Sequence, residues 1–456
     1  MLHSDLVAQD GRRAFWGLWA GQLISNLGTQ VSLYGVGLWL FQQHERLTDF
    51  AAVAAVVQLA KVLVLPLLGP RLQRWPRRRV MVVANGLGAV SSLALALLLL
   101  AAARPPLAAV LGLQALAAVG EAALVLSFST LIPQLVPEGP ERSRANGLFV
   151  TADGLVATTA PFLGAWLAGA AGLRGVLLLD ALSFLVAMGL VLLVRWPAQA
   201  LRPAAGWGAA TAGSGTGAPG VRGGAWRGAL ARIWRDPQLR PLALVGMAMT
   251  FVYAATEVLF PAWVAASFGV QRLGGALLAG GLGYLYGYRL WLRLPAERWA
   301  PWWRAALVAQ ALILMGAGLV LFQGLVLIWF AGLACFSAGL PVALSALQSR
   351  WQQGVAPAEM PLLFSARFSL EWGARLLAFG LSGPLVDGLL RPALAWPHWP
   401  AWLPQALGTG DGRPMAVGLG AMGWVLMLAL WSQWRGLAPR RRPGPDGGGK
   451  LGPCGP

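Results

Sequence analysis

The chain has 456 residues, of which 57% are hydrophobic and 11% charged, and its net charge is +18. Soluble domains carry about 25% charged residues, so a chain this apolar cannot form a water-soluble globule, and its scarce charge excludes a disordered protein. Its mean hydropathy of +0.62 predicts an all-α polytopic membrane protein.

Windows of about 20 apolar residues, the length that crosses a bilayer, predict twelve helices in chain order. The predicted spans are 15–41, 50–69, 80–103, 107–131, 145–171, 175–194, 241–266, 273–292, 302–322, 325–347, 363–390 and 414–434. The first and eleventh are longer than one bilayer thickness, so they are expected to tilt or protrude.

Lysine and arginine are unequally divided between the two sides of these spans. The side of both termini holds 27 of them and the opposite loops hold 6. Because cytoplasmic loops carry the excess of positive charge, both termini are predicted to lie in the cytoplasm. The basic residues would then face anionic lipid headgroups, which accounts for the net charge without nucleic acid.

Composition predicts five parts in the chain. These are a cytoplasmic N-terminus (1–14), an N-terminal six-helix bundle (15–195), a flexible Gly/Ala/Pro-rich cytoplasmic linker (196–239), a C-terminal six-helix bundle (240–435) and a disordered cytoplasmic tail (436–456). Segment 353–384 echoes segment 133–164, which favours two parallel repeats that rock about a central site, as in transporters.

Cysteine and histidine are too rare to support a metal or disulfide framework. Cys335 lies in an apolar run and Cys454 in the tail, while His3, His44 and His398 all lie outside the predicted spans. No phosphate-binding Gly-x-x-x-x-Gly-Lys-Ser/Thr loop occurs, so the chain is not predicted to hydrolyse ATP. We expect no metal and no cofactor.

The turn between the second and third predicted helices contains Gly69, Gln73, Arg74 and the run Arg77-Arg78-Arg79. It resembles the signature loop of the major facilitator superfamily, Gly-x-x-x-Asp-Arg-x-x-Arg-Arg. Segments 15–28, 135–137, 144–146, 179–185 and 234–240 are similar to its bacterial efflux branch, which includes the enterobactin exporter and macrolide efflux proteins. The resemblance runs from about 15 to 435.

The resemblance implies a major facilitator fold of two pseudo-symmetric six-helix bundles in a bacterial inner membrane. It also implies that the signature loop belongs to a latch that holds the two halves together on the cytoplasmic side. This chain departs from the family where aspartates are common, because those positions hold Thr29, Gln73 and Asn85.

Ionisable residues inside spans mark functional sites, because each costs roughly 2.5–3.5 kcal/mol on insertion scales. Glu121, Glu257 and Asp153 are therefore candidates for proton or ion coupling, with structural ion pairing as the alternative. In the resembled fold Glu121 and Glu257 lie on cavity helices. Asp153 lies nearer the cytoplasmic end of its span, where a solvated or latch position is expected.

Two basic residues within spans need partners. Glu371 and Arg375 are four residues apart in the favourable order, so they are predicted to neutralise each other. The resembled fold places the second and eleventh spans together, which makes Glu371 the predicted partner of Lys61 as well.

A polar stripe runs along the first span. Gln22, Asn26 and Gln30 are spaced by four residues and share one helix face. They are candidates for substrate contact, with hydrogen bonding between helices as the alternative.

The sequence thus predicts a secondary active transporter rather than an enzyme, with export of a small, partly apolar molecule in exchange for protons. Its partners would be that substrate, the lipid bilayer and protons, and the protein would act as a monomer. The alternatives are a non-transporting sensor or scaffold of the same family, and an importer.

Overall fold

The computed structural model describes residues 2–44, 47–102, 105–137, 139–196, 224–268, 272–294, 299–317, 326–395 and 412–436. Within these ranges the chain is helical almost throughout, and the described part contains no strand. The prediction of an all-α polytopic membrane protein is confirmed.

Five helices make up the N-terminal half. They are α1 (Leu2–His44), α2 (Leu47–Arg74), α3 (Arg77–Ala101), α4 (Leu107–Leu135) and α5 (Pro140–Leu193). The last holds the predicted fifth and sixth spans in one segment, broken at Gly172, where φ is 68°. A residue with a Cβ adopts this φ at a cost, so glycine allows the chain to reverse without a loop.

The remaining helices begin at Gly224, inside the predicted linker region. They are α6 (Gly224–Arg235), α7 (Leu239–Phe268), α8 (Leu273–Arg293), α9 (Trp299–Ala317), α10 (Val326–Gly354), α11 (Met360–Pro384), a π-helical turn (Leu385–Leu390), α12 (Arg391–Leu394) and α13 (Arg413–Gly436).

The described spans form two six-helix bundles, α1 to α5 with its two arms, and α7 to α11 with α13. Seven described segments are long and apolar enough to cross a membrane on those grounds alone. The two bundles meet where α2 contacts α11 and where α5 contacts α8 and α10.

Glycines allow the two bundles to approach closely. A Cβ on Gly69 of α2 would stand 3.2 Å from the main-chain oxygen of Pro361 and would overlap Ser365 of α11. A Cβ on Gly147 of α5 would stand 2.5 Å from Cδ1 of Trp291 in α8. Small residues at such helix contacts let backbones approach in membranes, where packing is the main attraction.

The domain prediction needs one correction. Part of the predicted flexible linker forms α6, an amphipathic helix whose Ala229 and Ile233 are buried against the neighbouring helices. Its Arg232 pairs with Glu359, which precedes α11. The apolar stripe of α6 was hidden by the Gly/Ala-rich composition around it. Residues 197–223 of the linker and 437–456 of the tail lie outside the described residues, and 2–14 continue α1 as helix.

Candidate functional site

A buried ion pair lies inside the N-terminal bundle. Lys61 Nζ of α2 is 2.6 Å from Oε1 of Glu121 on α4, and the two side chains are only 11% and 14% exposed. The ring of Trp372 on α11 lies 5.8 Å from the same ammonium group. The predicted pairing of Lys61 with Glu371 is wrong: α2 and α11 are neighbours as expected, but Lys61 turns into its own bundle, and α11 offers an indole face.

A third ionisable group completes this cluster. Asp153 of α5 is exposed, and its Oδ1 accepts a hydrogen bond of 2.8 Å from Asn26 Nδ2 of α1. It lies within electrostatic reach of Lys61, Glu121 and Tyr284 of the other bundle. Asp153 is therefore in the space between the bundles, beside the ion pair.

The polar stripe on α1 has one member in this cluster. Asn26 contacts Asp153, while the side chains of Gln22 and Gln30 are half-buried on the same face. We define the central polar cluster as Lys61, Glu121, Asp153 and Asn26.

A second ion pair belongs to the C-terminal bundle. Arg375 Nη2 of α11 donates to Glu257 Oε2 of α7 over 2.6 Å, with side-chain exposures of 33% and 51%. Tyr34 of α1 is half-exposed and within electrostatic reach of both charges. This pair therefore also faces the space between the bundles, near the end of α1 that is remote from Arg12.

Glu371 has a different partner from the predicted one. Its Oε1 accepts a hydrogen bond of 2.7 Å from Arg367 Nε, and Arg367 also donates to Gln348 Oε1 over 2.7 Å. The predicted pairing of Glu371 with Arg375 is wrong. Arginines lie four residues to either side of Glu371, and the packing of α11 points the buried one at Glu371 and the half-exposed one at Glu257.

The bundles are joined by hydrogen bonds near one end. Asn146 of α5 and Gln352 of α10 bond reciprocally, and Gln352 Nε2 also donates to the main-chain oxygen of Ser129 over 3.1 Å. Trp291 Nε1 of α8 donates to the main-chain oxygen of Ser143 over 2.9 Å. We call the region of Gly69, Asn146, Trp291 and Gln352 the closed end.

The signature loop lies at this closed end. Arg77 is buried and donates to Thr130 Oγ1, and Arg78 Nη2 donates over 2.6 Å to the main-chain oxygen of Leu192 in the last turn of α5. Cations favour such helix C-termini. Arg74 and Arg79 are exposed, and the side chain of Gln73 is outside the described residues.

Two of the residues that stand where the family often has aspartate form hydrogen bonds within their own helices. Thr29 Oγ1 donates to the main-chain oxygen of Ser25 over 2.9 Å, and Asn85 Nδ2 donates to that of Met81 over 2.8 Å. Neither of these bonds joins the bundles. The closed end is instead joined by uncharged groups, above all the amides of Asn146 and Gln352.

Several of these residues were missed by sequence reasoning. Arg367 lies inside the predicted span 363–390, but Glu371 was predicted to pair with Arg375 instead. Gln352 carried no signal, since a glutamine at a helix end is ordinary. Among the described residues, no group of three or more His, Cys, Asp or Glu side chains could hold a metal ion.

The sequence of this chain matches the family model of the Major Facilitator Superfamily over residues 18–379. The chain belongs to this superfamily. The major facilitator fold expected from the signature loop is thereby confirmed, and the chain is a membrane transporter of small molecules rather than an enzyme.

Solved structures of other superfamily members share this fold. A bacterial homologue of the iron transporter ferroportin, in an outward-facing state, superposes with a TM-score of 0.70 at 16% identity, over 93% of this chain and 99% of that one. The human organic anion transporter MFSD10 (TETRAN) gives 0.66 at 16% identity, over 92% and 99%. No curated protein sequence matches this major facilitator.

Proposed function

We propose that this major facilitator exports a small, partly apolar molecule from a bacterial cell in exchange for protons, with both termini in the cytoplasm. The observation that carries the proposal is the central polar cluster, in which one lysine lies within reach of two carboxylates. The export direction and the inner-membrane location rest on the resemblance to the bacterial efflux branch and on the loop charges.

The cluster provides a physical route from proton binding to movement. A proton on Glu121 would remove the charge that neutralises Lys61, and an unpaired ammonium inside a membrane protein is costly. Asp153 is the nearby exposed carboxylate, paired here with the neutral amide of Asn26. Protonation of Glu121 would therefore favour a shift of Lys61 toward Asp153.

That shift would change the charge next to the contact between the two bundles. Gly154, next to Asp153, packs against the ring of Tyr284 on α8, and the Tyr284 hydroxyl donates over 2.7 Å to the main-chain oxygen of Val150. A change in charge at Asp153 thus acts where α5 contacts the other half. Alternating access requires that contact to break and re-form.

The geometry also supports an outward-open resting state. Hydrogen bonds of Asn146, Gln352 and Trp291 join the bundles at the closed end, which holds the loops predicted to be cytoplasmic. Glu257 and Asp153 are exposed in the space between the bundles. Protons would then reach the central polar cluster, and substrate would leave it, on the side opposite the termini.

The test is accumulation of drugs and siderophores in an efflux-deficient bacterium that expresses wild type, Glu121→Gln or Asp153→Asn. We expect wild type to lower accumulation, and an uncoupler or either variant to restore it. Glu141→Gln is the matched control, because Glu141 pairs with Arg12 on an exposed surface at 3.2 Å. Normal export by Glu121→Gln would contradict the proposal.

A second candidate is a non-transporting sensor, favoured by the neutral residues Thr29 and Asn85 at positions where the family often has acids. Purified protein in liposomes distinguishes the two. A transporter exchanges substrate and acidifies or alkalinises the lumen, whereas a sensor binds the compound without moving it. Uptake into the cell instead of loss from it would identify an importer.

A further inference from the structure

A carboxyl group outside the central polar cluster is buried in the N-terminal bundle. Asp180, on the second arm of α5, is only 2% exposed. Its Oδ2 accepts hydrogen bonds of 2.9 Å from Ser32 Oγ of α1 and 2.6 Å from Ser92 Oγ of α3. Its Oδ1 is also buried and has no hydrogen-bond partner among the described residues.

Charged groups around Asp180 do not neutralise it. The elements packed against it, α1 and α3, present the neutral residues Gly28, Ser32 and Ser92. Among the described residues, the ionisable group that acts on it is Glu121 of α4, which is negative and already paired with Lys61. An ionised Asp180 would be a buried anion without a cation, which is strongly unfavourable.

The surrounding hydroxyl groups can be counted as donors and acceptors. Ser183 Oγ donates its proton to the main-chain oxygen of Asp180 over 2.7 Å, which leaves its lone pairs free to accept. Both this Oγ and Asp180 Oδ1 face Gly28, and a Cβ there would stand 2.8 Å from Oδ1 and overlap Ser183. Ser183 Oγ thus lies on the same side as Oδ1, although no hydrogen bond joins the two atoms in this structure.

We propose that Asp180 is a proton-binding site, occupied in this conformation, whose proton lies on the unbonded Oδ1 on the side of Ser183. Proton binding forms one O–H bond and neutralises the carboxylate, and release returns the proton to water. Release would leave an anion in the contact between α1 and the second arm of α5. Loss of this proton thus weakens that contact and links proton occupancy to the position of α1.

Infrared spectroscopy of the full chain in lipid nanodiscs tests the site directly. We expect a carbonyl band of a protonated carboxylic acid near neutral pH that Asp180→Asn removes. Ser183→Ala and Ser92→Ala should shift this band. Ser91→Ala is the matched control, since Ser91 is an equally buried neighbour whose hydroxyl donates to its own helix at Leu87 over 2.8 Å.

Two results would overturn the site. A spectrum unchanged by Asp180→Asn would show that the residue is ionised. Loss of the band on addition of sodium at fixed pH would show that these oxygens hold a metal cation instead. If Asp180→Asn fails to fold, a band shift in Ser183→Ala that is absent in Ser91→Ala would still assign the protonated carboxyl group to Asp180.

The link to α1 rests on the proposed function, and a separate readout tests it. A cysteine at Gln30, introduced into a variant without the two native cysteines, reports access to α1 through its labelling rate. Because the thiolate is the reactive form, the rate rises with pH in both proteins, so the readout is the ratio of the parent's rate to that of Asp180→Asn at each pH. We expect this ratio to rise with pH. A ratio that does not change with pH would overturn the link. Because neither measurement uses transport, a failure of export would not be confused with a failure of the site.

Discussion

Asn146 and Gln352 exchange two hydrogen bonds across the boundary between the bundles, one of 2.8 Å from Asn146 Nδ2 and one of 3.1 Å from Gln352 Nε2. Both side chains are buried, at 0% and 3% exposed. Truncating either removes both bonds and leaves the buried carbonyl oxygen of the other amide without its donor, which costs about 1–3 kcal/mol. This reciprocal pair therefore favours closure at this end without any charge.

Asn146→Ala should shift the equilibrium away from the closed end by about 1–3 kcal/mol, because the buried Oε1 of Gln352 loses its donor. Spin labels on the exposed residues Arg144 and Gln353, the closed-end label pair, should report longer distances. The control is Asn85→Ala, which removes a buried amide that bonds only within its own helix. Equal distance distributions in both variants would contradict this role.

Gly69→Val should also open the closed end, but for a steric reason. The added side chain would overlap Ser365 and approach the Pro361 main chain, and overpacking costs typically 1–3 kcal/mol. The closed-end label pair should again separate. Gly86→Val adds the same volume where nothing lies within 4 Å of the Cβ position, so it should leave the distances unchanged.

The buried pair of Arg367 and Glu371 should matter for stability. Glu371→Gln leaves a buried guanidinium without its carboxylate, which costs about 3–5 kcal/mol and should lower the thermal unfolding temperature in detergent. Glu141→Gln breaks an exposed pair and should cost at most about 1 kcal/mol. Similar unfolding temperatures for the two variants would contradict the larger contribution of the buried pair to stability.

The half-exposed pair of Glu257 and Arg375 should matter for transport rather than stability. Its partial exposure limits its contribution to the free energy of unfolding to about 0–1 kcal/mol. Glu257→Gln should therefore unfold like wild type while export falls. Asp387→Asn, which breaks an exposed pair with Arg391 at 3.3 Å, is the control and should affect neither. Full export by Glu257→Gln would exclude a role in the cavity.

The sequence by itself determined the class, the number of spans and the fold. An apolar run long enough to cross a bilayer has few alternatives to a helix, since a helix forms all of its backbone hydrogen bonds internally in lipid. The signature loop from Gly69 to Arg79 then indicated the family. The same criterion missed α6, because an amphipathic helix of 12 residues has no long hydrophobic run.

The partners of the ionisable residues were decided by the tertiary structure. Spacing along α11 allowed Glu371 to pair with Arg367 or Arg375, and only the rotation of that helix against α7 chose between them. Lys61 likewise could reach α4 or α11. Side-chain pairing depends on which helix faces meet, and residues such as Asn146 and Gln352, 206 positions apart in the chain, are brought together only by the packing of the two bundles.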